Sequence, residues 1–295
     1  MELTGTGIWS GQLRFGDAGE RAEAAAELEE LGYTALWIPG GVGGAVFDDC
    51  RVLLEATSRV PVATGILNLW MHTPEETATG HAALTADFPD RFMLGLGVSH
   101  APLIDQNAPG RYARPLQVTR EYLDALDGTT PPVPAGERCL AALGPRMLEL
   151  ARDRSAGAHP YLVHPDHTRF AREVMGDGVL LAPEQHVVLE TDPEVARATA
   201  RQHLGIYRGL PNYTNNWKRF GLTDDDLADE GSDRLVDMVV AWGDEDAIAR
   251  RVREHFDAGA DHVCIQVLSD TRSPLNPASA FPWDGWRRLA PALPR

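Results

Sequence analysis

Residues 60–100 read VPVATGILNLWMHTPEETATGHAALTADFPDRFMLGLGVSH, and this stretch decides the fold. Val60–Ile66 is a short apolar run rich in β-branched residues, which suits a buried strand. Pro74–Phe88 follows with proline at its start, where a helical N–H has no partner to lose. Arg91–Gly97 (RFMLGLG) then returns to an apolar run of strand length. Strand, helix and strand in one continuous stretch predict a βαβ crossover, which joins parallel strands.

The alternation continues on both sides. Upstream, Thr6–Trp9 and Thr34–Ile38 read as strands, and Asp17–Leu31 and Phe47–Arg59 as helices. Downstream, strands are expected at Cys139–Leu143, His159–Val163, His186–Glu190 and His262–Leu268. Helices are expected at Arg114–Leu126, Pro145–Arg154, Asp166–Met175, Pro193–Arg208, Asp244–Phe256 and Trp283–Leu289. Eight strands separated by helices predict a (β/α)8 TIM barrel, with an open doubly wound sheet as the alternative. The reading is one domain over 1–295. A polar stretch at about 211–240 reads as a helical insertion before the last strand, and its acidic part, 222–233, fits a lid, an interface or neither.

Composition narrows the partners. The chain has 295 residues, 43% of them hydrophobic and 24% charged, which is ordinary for a globular protein. Asp and Glu number 43 against 27 Lys and Arg, giving a net charge of −16. Such a chain repels polyanions, so neither nucleic acid nor an anionic membrane is expected as a partner. No apolar run reaches the ~18 residues of a membrane span, and no secretory leader is visible. The three cysteines, Cys50, Cys139 and Cys264, are widely spaced without a CxxC, which favours a reducing cytoplasm over a disulfide framework.

In a barrel, functional residues follow the strands at their C-terminal ends. That rule selects Trp9 and Ser10, the loop Pro39–Gly44, then Asn68, Trp70, Met71 and His72. It also selects Ser99 and His100, Gly144 and Pro145, His164, and finally Ser269 and Asp270. Two glycine turns, Gly95–Ser99 and Ala142–Pro145, precede helix starts, where free N–H groups and the helix dipole suit a phosphate. Each reads more readily as plain turn geometry. No P-loop, GxGxxG, GxSxG or HExxH occurs, so nucleophile-elbow hydrolysis and zinc protease chemistry have no support. His159, His164, His167 and Asp166 cluster, but in a proline-rich loop that reads as solvated; no metal is expected.

Six segments resemble the bacterial-luciferase-like oxidoreductases, and in particular their actinobacterial branch assigned to the deazaflavin coenzyme F420. They are Tyr33–Ile38, Val60–Leu69, Asp90–His100, Arg111–Leu126, Ala141–Ala151 and Gly259–Leu268, in family order. The resemblance implies an (α/β)8 barrel with a late insertion. It implies a non-prolyl cis peptide at Gly65–Ile66 behind the central ring of the cofactor, with Asn68 nearby. It places Gly97, Val98, Ser99 and His100 along the ring and phosphoryl arm, and Ala142, Leu143, Gly144 and Pro145 as the phosphate cradle. It allows a homodimer, common among relatives, and a small-molecule substrate.

Two departures stand out. Where such dehydrogenases often carry Asp-His after the second strand, this chain has Pro39-Gly40; where relatives often show Arg-His-Pro, it has His72-Thr73-Pro74. His100 is then the leading acid/base candidate and His72 the second, because an imidazole of ordinary pKa ~6.5 exchanges protons near neutrality. His100 reads also as a hydrogen-bonding partner of the phosphate or of its own loop. Trp9 and Trp70 are candidate pocket walls, whereas Trp37 reads as core. Coenzyme F420 is the expected cofactor and FMN the alternative; Arg111, Arg114 and Arg120, with no acid between Gln106 and Arg120, suit an anionic tail or simple surface pairing. The expected activity is hydride transfer between the deazaflavin and an organic substrate. An FMN monooxygenase and a non-catalytic flavin binder are the alternatives.

Overall fold

The computed structural model describes residues 1–269 and 280–295; Asp270, one of the candidates above, lies outside them. The strands among the described residues are β1 Gly5–Trp9, β2 Leu36–Gly40, β3 Val62–Asn68, β4 Phe92–Gly97, β5 Arg138–Leu140, β6 Gly157–Ala158, β7 Leu180–Leu181, β8 Glu184–Leu189, β9 Val240–Gly243 and β10 His262–Val267. All ten join one sheet in the order β7-β6-β5-β4-β3-β2-β1-β10-β8-β9, with every strand pair parallel. β7 stands at one end of that order and β8 near the other, yet only Ala182 and Pro183 separate them in the chain. The sheet therefore curls round until its ends meet.

The helices are α1 Gln12–Phe15, α2 Ala18–Glu30, α3 Val46–Ala56, α4 Pro74–Asp87, α5 Ala101–Asn107, α6 Pro115–Asp127, α7 Pro145–Arg154, α8 Pro165–Met175, α9 Pro193–Tyr207, α10 Pro211–Arg219, α11 Asp224–Leu227, α12 Asp233–Val239, α13 Glu245–Asp257 and α14 Trp283–Leu289. Proline opens α4, α6, α7, α8, α9 and α10, where its fixed φ starts a helix and its missing N–H costs nothing. The main core lies between helices and sheet. A smaller cluster fills the inside of the curl, with Trp9, Trp37, Ala63, Met93, Cys139 and Cys264 contributed by different strands. All three cysteines are free and buried, and burial pushes the Cys139 thiol up to about 12, so it stays protonated and inert. Among the described residues no helix is long and apolar enough to cross a membrane.

The sheet corrects the expected strand list. It holds ten strands, not eight. The second runs to Gly40 instead of stopping before Pro39, and the fifth ends at Leu140 instead of Leu143. His159–Val163 is not a strand: Pro160 has no N–H, Leu162 takes a left-handed φ of 57°, and its N–H goes to the Glu184 carboxylate at 3.0 Å. The sixth strand is Gly157–Ala158 instead. Leu180–Leu181 and Val240–Gly243 were not expected; the latter follows α12 without a turn residue between them.

Candidate active site

The ends of β1 to β6 open on a cavity of about 810 Å³. Its floor begins at β3, where the Gly65–Ile66 peptide is cis, as the resemblance implied. Trp9, at the end of β1, donates its indole N–H to the Gly65 carbonyl at 3.0 Å. A Cβ at Gly65 would lie 2.5 Å from the Trp9 Nε1 and 3.0 Å from the His159 Nε2, so only glycine fits between these rings. Gly97 serves the same floor differently. Its missing side chain leaves room for Ile66, whose Cδ1 would stand 2.8 Å from a Cβ there.

Of the sequence candidates, Trp9, Gly65, Ile66, Val98, Ser99, His100, Ala142, Leu143 and Gly144 line the cavity. Asn68, Gly97, Pro145, Trp70 and His72 are not among the lining residues. Asn68 is fully buried, donating to the Gly41 carbonyl at 2.8 Å and accepting from the Trp70 N–H at 3.1 Å. Trp70 braces the cavity wall from behind, its indole N–H on the Val98 carbonyl at 2.8 Å. His72 packs edge-on against Phe47, and burial lowers its pKa. Arg111 lies over the Trp70 ring, and Arg114 pairs with Gln117, so neither reaches the cavity.

His100 stands at the mouth of α5 with its ring 5.1 Å from that of Tyr213 and its Nδ1 3.4 Å from the Asn212 amide nitrogen. Burial pulls its pKa down to about 4, which corrects the expectation of an imidazole titrating near neutrality. His159 and His203, also lining residues, are drawn to about 4 by the same desolvation. Burial raises Tyr207 to about 12 and Tyr161 and Tyr213 further. At neutral pH all six rings are uncharged. Among the described lining residues Arg219 alone carries a formal charge, and there is no carboxylate, in a chain of net charge −16.

Arg219 belongs to a pattern on α10 that the sequence reading took for a polar insertion. Asn212, Asn215, Asn216 and Arg219 stand at i, i+3, i+4 and i+7, and all four line the cavity. Tyr213 and Trp217 on the adjoining face are buried, Tyr213 at the cavity's edge and Trp217 with its indole N–H on the Leu162 carbonyl at 3.2 Å. Spacing alone marks such a stripe. What the chain does not display is that β5 and α7 lie across from it. Arg219 Nη1 donates to the Asn216 side-chain oxygen at 3.0 Å, and its Nη2 would be 3.9 Å from a Cβ at Gly144. The Asn216 Nδ2 is buried without a partner. Gly144 caps α7 with no side-chain cap on that helix start. A buried amide donor, a guanidinium and the N-terminus of a ten-residue helix thus converge on one spot. That donor set fits a phosphate. Among the described residues no group of three His, Cys, Asp or Glu is placed to hold a metal ion.

The luciferase-like monooxygenase family model matches residues 3–262, and the chain belongs to that family. A Mycobacterium tuberculosis protein assigned as a coenzyme F420-dependent oxidoreductase is 24% identical, over 84% of this chain and 90% of its own. An F420-dependent secondary alcohol dehydrogenase, solved with an F420–acetone adduct, superposes with a TM-score of 0.74 at 15% identity, covering 98% of this chain and 99% of that one. The FMN-bound oxygenating constituent of 3,6-diketocamphane monooxygenase from Pseudomonas putida gives 0.66 at 17% identity, covering 98% and 96%.

Proposed function

We propose that the chain is an oxidoreductase on a (β/α)8 barrel, moving a hydride between coenzyme F420 and an organic substrate. In this reading β7 and β8 are two halves of the seventh barrel strand, β10 is the eighth, and residues from about 211 to 240 form the insertion that roofs the site. The observation that carries it is the anion clamp of Gly144, Asn216 and Arg219 in a cavity with no carboxylate among its described lining residues. The name of the Mycobacterium tuberculosis relative supports the deazaflavin.

The bound deazaflavin would supply a hydride donor or acceptor; the protein supplies placement. Arg219, the Asn216 amide and the α7 N-terminus hold the phosphate. Gly65, Ile66 and Trp9 back the ring, and Tyr161, Tyr207 and Tyr213 exclude water around it. His100 is neutral at pH 7. With Nδ1 facing the Asn212 amide, its proton sits on Nε2, where a neutral imidazole can polarise a substrate oxygen without carrying charge.

FMN is the second reading, because the clamp takes the phosphate that both cofactors share and an FMN-bound enzyme has the same fold. Paired titrations of the purified chain with F420 and with FMN test this. F420 binding with turnover of its absorbance in the presence of a carbonyl or alcohol panel is expected. FMN binding alone would redirect the reading to oxygen-dependent chemistry, and binding of neither would overturn it.

A further inference from the structure

Oxidising an alcohol carbon, or reducing a carbonyl, moves one proton for every hydride, and the described cavity wall has no group to store it. No carboxylate is among the described lining residues. Ser99, Gln106, Gln202, Asn212 and Asn215 are polar but do not ionise near neutrality. Burial holds His100, His159 and His203 neutral and keeps Tyr112, Tyr161, Tyr207 and Tyr213 protonated. An acid–base pair lies one layer deeper. Glu184 and His186 stand two residues apart on β8, so they share one face of the strand, and both are buried. Glu184 Oε1 is 2.6 Å from His186 Nδ1, and Oε2 accepts the Leu162 N–H at 3.0 Å. A carboxylate that only accepts places the imidazole proton on Nδ1 and leaves Nε2 bare. That Nε2 is buried without a partner. His186 is in register with Gln266 on β10, whose Nε2 is also buried without a partner and whose Oε1 accepts the Tyr161 O–H at 2.8 Å. The His186 ring meets the rings of Tyr161 and Tyr207 edge-on, at 5.4 and 6.1 Å. Those two tyrosines line the cavity with their hydroxyls 3.0 Å apart. A polar seam thus runs from Glu184 through His186 to the cavity.

We propose that Glu184 and His186 form a proton store, His186 Nε2 exchanging a proton with the substrate oxygen through the Tyr161 and Tyr207 hydroxyls. The inference rests on the oxidoreductase reading and supplies the proton half of its reaction. In the oxidising direction the substrate O–H gives its proton to Tyr207, Tyr207 gives its own to Tyr161, and the Tyr161 hydroxyl turns from Gln266 to give its own to His186 Nε2. The electron pair of the substrate C–H bond leaves with its hydrogen as the hydride that the coenzyme takes. His186 ends as a cation against the Glu184 carboxylate, so no unpaired charge is left in the interior. Carbonyl reduction runs the same steps backwards. After burial, the Glu184 charge is a further cause that keeps Tyr161 and Tyr207 protonated, so the tyrosines pass the proton on without storing it. Neither Glu184 nor His186 lines the cavity, so both are positioning residues that act through Tyr161.

The deciding test needs neither coenzyme nor substrate. In 15N-histidine NMR of the purified chain, with the His186 signals identified by their loss in His186→Gln, Nδ1 is expected to be protonated and Nε2 bare. Glu184→Gln is expected to reverse this. An amide has one acceptor oxygen where the carboxylate has two; the Leu162 N–H takes it, the NH2 faces Nδ1, and the ring proton moves to Nε2. Added 4-nitrophenol, an acidic hydroxyl probe, is expected to protonate Nε2 in the parent chain and not in Tyr161→Phe. The inference is overturned by an Nε2 protonated from the start, by an unchanged tautomer in Glu184→Gln, by no response to the probe at its solubility limit, or by an equal response in Tyr161→Phe. On the coenzyme-loaded protein, Glu184→Gln and His186→Gln are expected to lower kcat by ~100-fold with KM little changed. An undiminished kcat overturns the inference too. If the alcohol and carbonyl panel gives no turnover in the parent, the oxidoreductase reading fails alone, and the NMR result still decides whether Tyr161 connects the cavity to His186.

Discussion

The Trp9 indole N–H meets the Gly65 carbonyl at 3.0 Å, and this bond ties the end of β1 to the floor of the cavity. The contact leaves no room for a methyl group on Gly65. Gly65→Ala forces the Trp9 or His159 ring aside, at a stability cost of ~1–3 kcal/mol typical of overpacking. On the proposed seating of the ring against that wall, coenzyme affinity is expected to fall with it. A denaturant melt and a fluorescence titration read the two effects. Unchanged affinity in a folded Gly65→Ala chain would move the ring away from β3.

The anion clamp makes a sharper prediction. A hydrogen bond to a charged group contributes ~1.5–3 kcal/mol, or about 10–100-fold in affinity. Arg219→Gln is expected to weaken a phosphorylated cofactor by about that factor, and Asn216→Ala to weaken it less, since it removes a neutral donor. Riboflavin, which has the FMN ring without its phosphate, provides the control. Its affinity is expected to be the same in the parent chain and both variants. An equal loss for riboflavin would show that α10 contacts the ring.

The glycine loop after β2 is pinned, although Gly40-Gly41-Val42-Gly43-Gly44 reads as pliant. Arg14 donates to the Pro39 carbonyl at 2.7 Å and to the Gly43 carbonyl, while its Nε meets Asp49 at 3.0 Å. Arg21 also pairs with Asp49, at 2.7 Å. Arg14→Met therefore frees the loop without stranding the carboxylate. The expected loss is about 2 kcal/mol, below the ~3–5 kcal/mol of a buried pair broken outright. Hydrogen exchange is expected to quicken at residues 40–44 and hardly at β3. Unchanged protection would mean that the loop is held by packing alone.

How much of this was legible depends on the range of the interaction. Helix-opening prolines act locally, so α4, α6, α7, α8 and α9 were readable to within a residue or two, while α10 read only as part of a polar insertion. Gly65–Ile66 was legible only through family likeness, since nothing in GILN requires that peptide geometry. β9 was hidden because α12 delivers the chain straight into it, with Val239 and Val240 apolar on both sides of the boundary. Leu180–Leu181 is too short for any periodicity, and its pairing with Gly157–Ala158 is a tertiary event. The α10 stripe had the right spacing in plain view. Its meaning depended on β5 and α7 lying opposite, which no local pattern encodes.

The buried imidazoles predict an acid limit. His159, His167 and His262 are fully buried, and desolvation holds each at about 4, below the ordinary 6.5. Burial, not their partners, keeps them neutral: His159 Nδ1 donates to the Ala182 carbonyl at 2.8 Å and His167 Nε2 to the Leu143 carbonyl at 3.0 Å, bonds that a charged ring would also make, while His262 Nε2 accepts the Trp37 indole N–H at 3.0 Å. Well above pH 6.5 native and unfolded chains bind almost no proton at these sites, and their contribution to stability is whole. Between 6.5 and 4 the unfolded chain takes up protons that the native chain refuses. Stability then falls as pH falls, by ~1.4 kcal/mol per unit for each ring. Three rings together remove roughly 5 kcal/mol between pH 6.5 and 5, comparable to the ~5–15 kcal/mol that holds a domain folded. The urea midpoint is therefore expected to stay level from pH 8 to 7 and to drop steeply below 6. A level midpoint down to pH 5 would require these rings to be charged, or reached by water, in the native state.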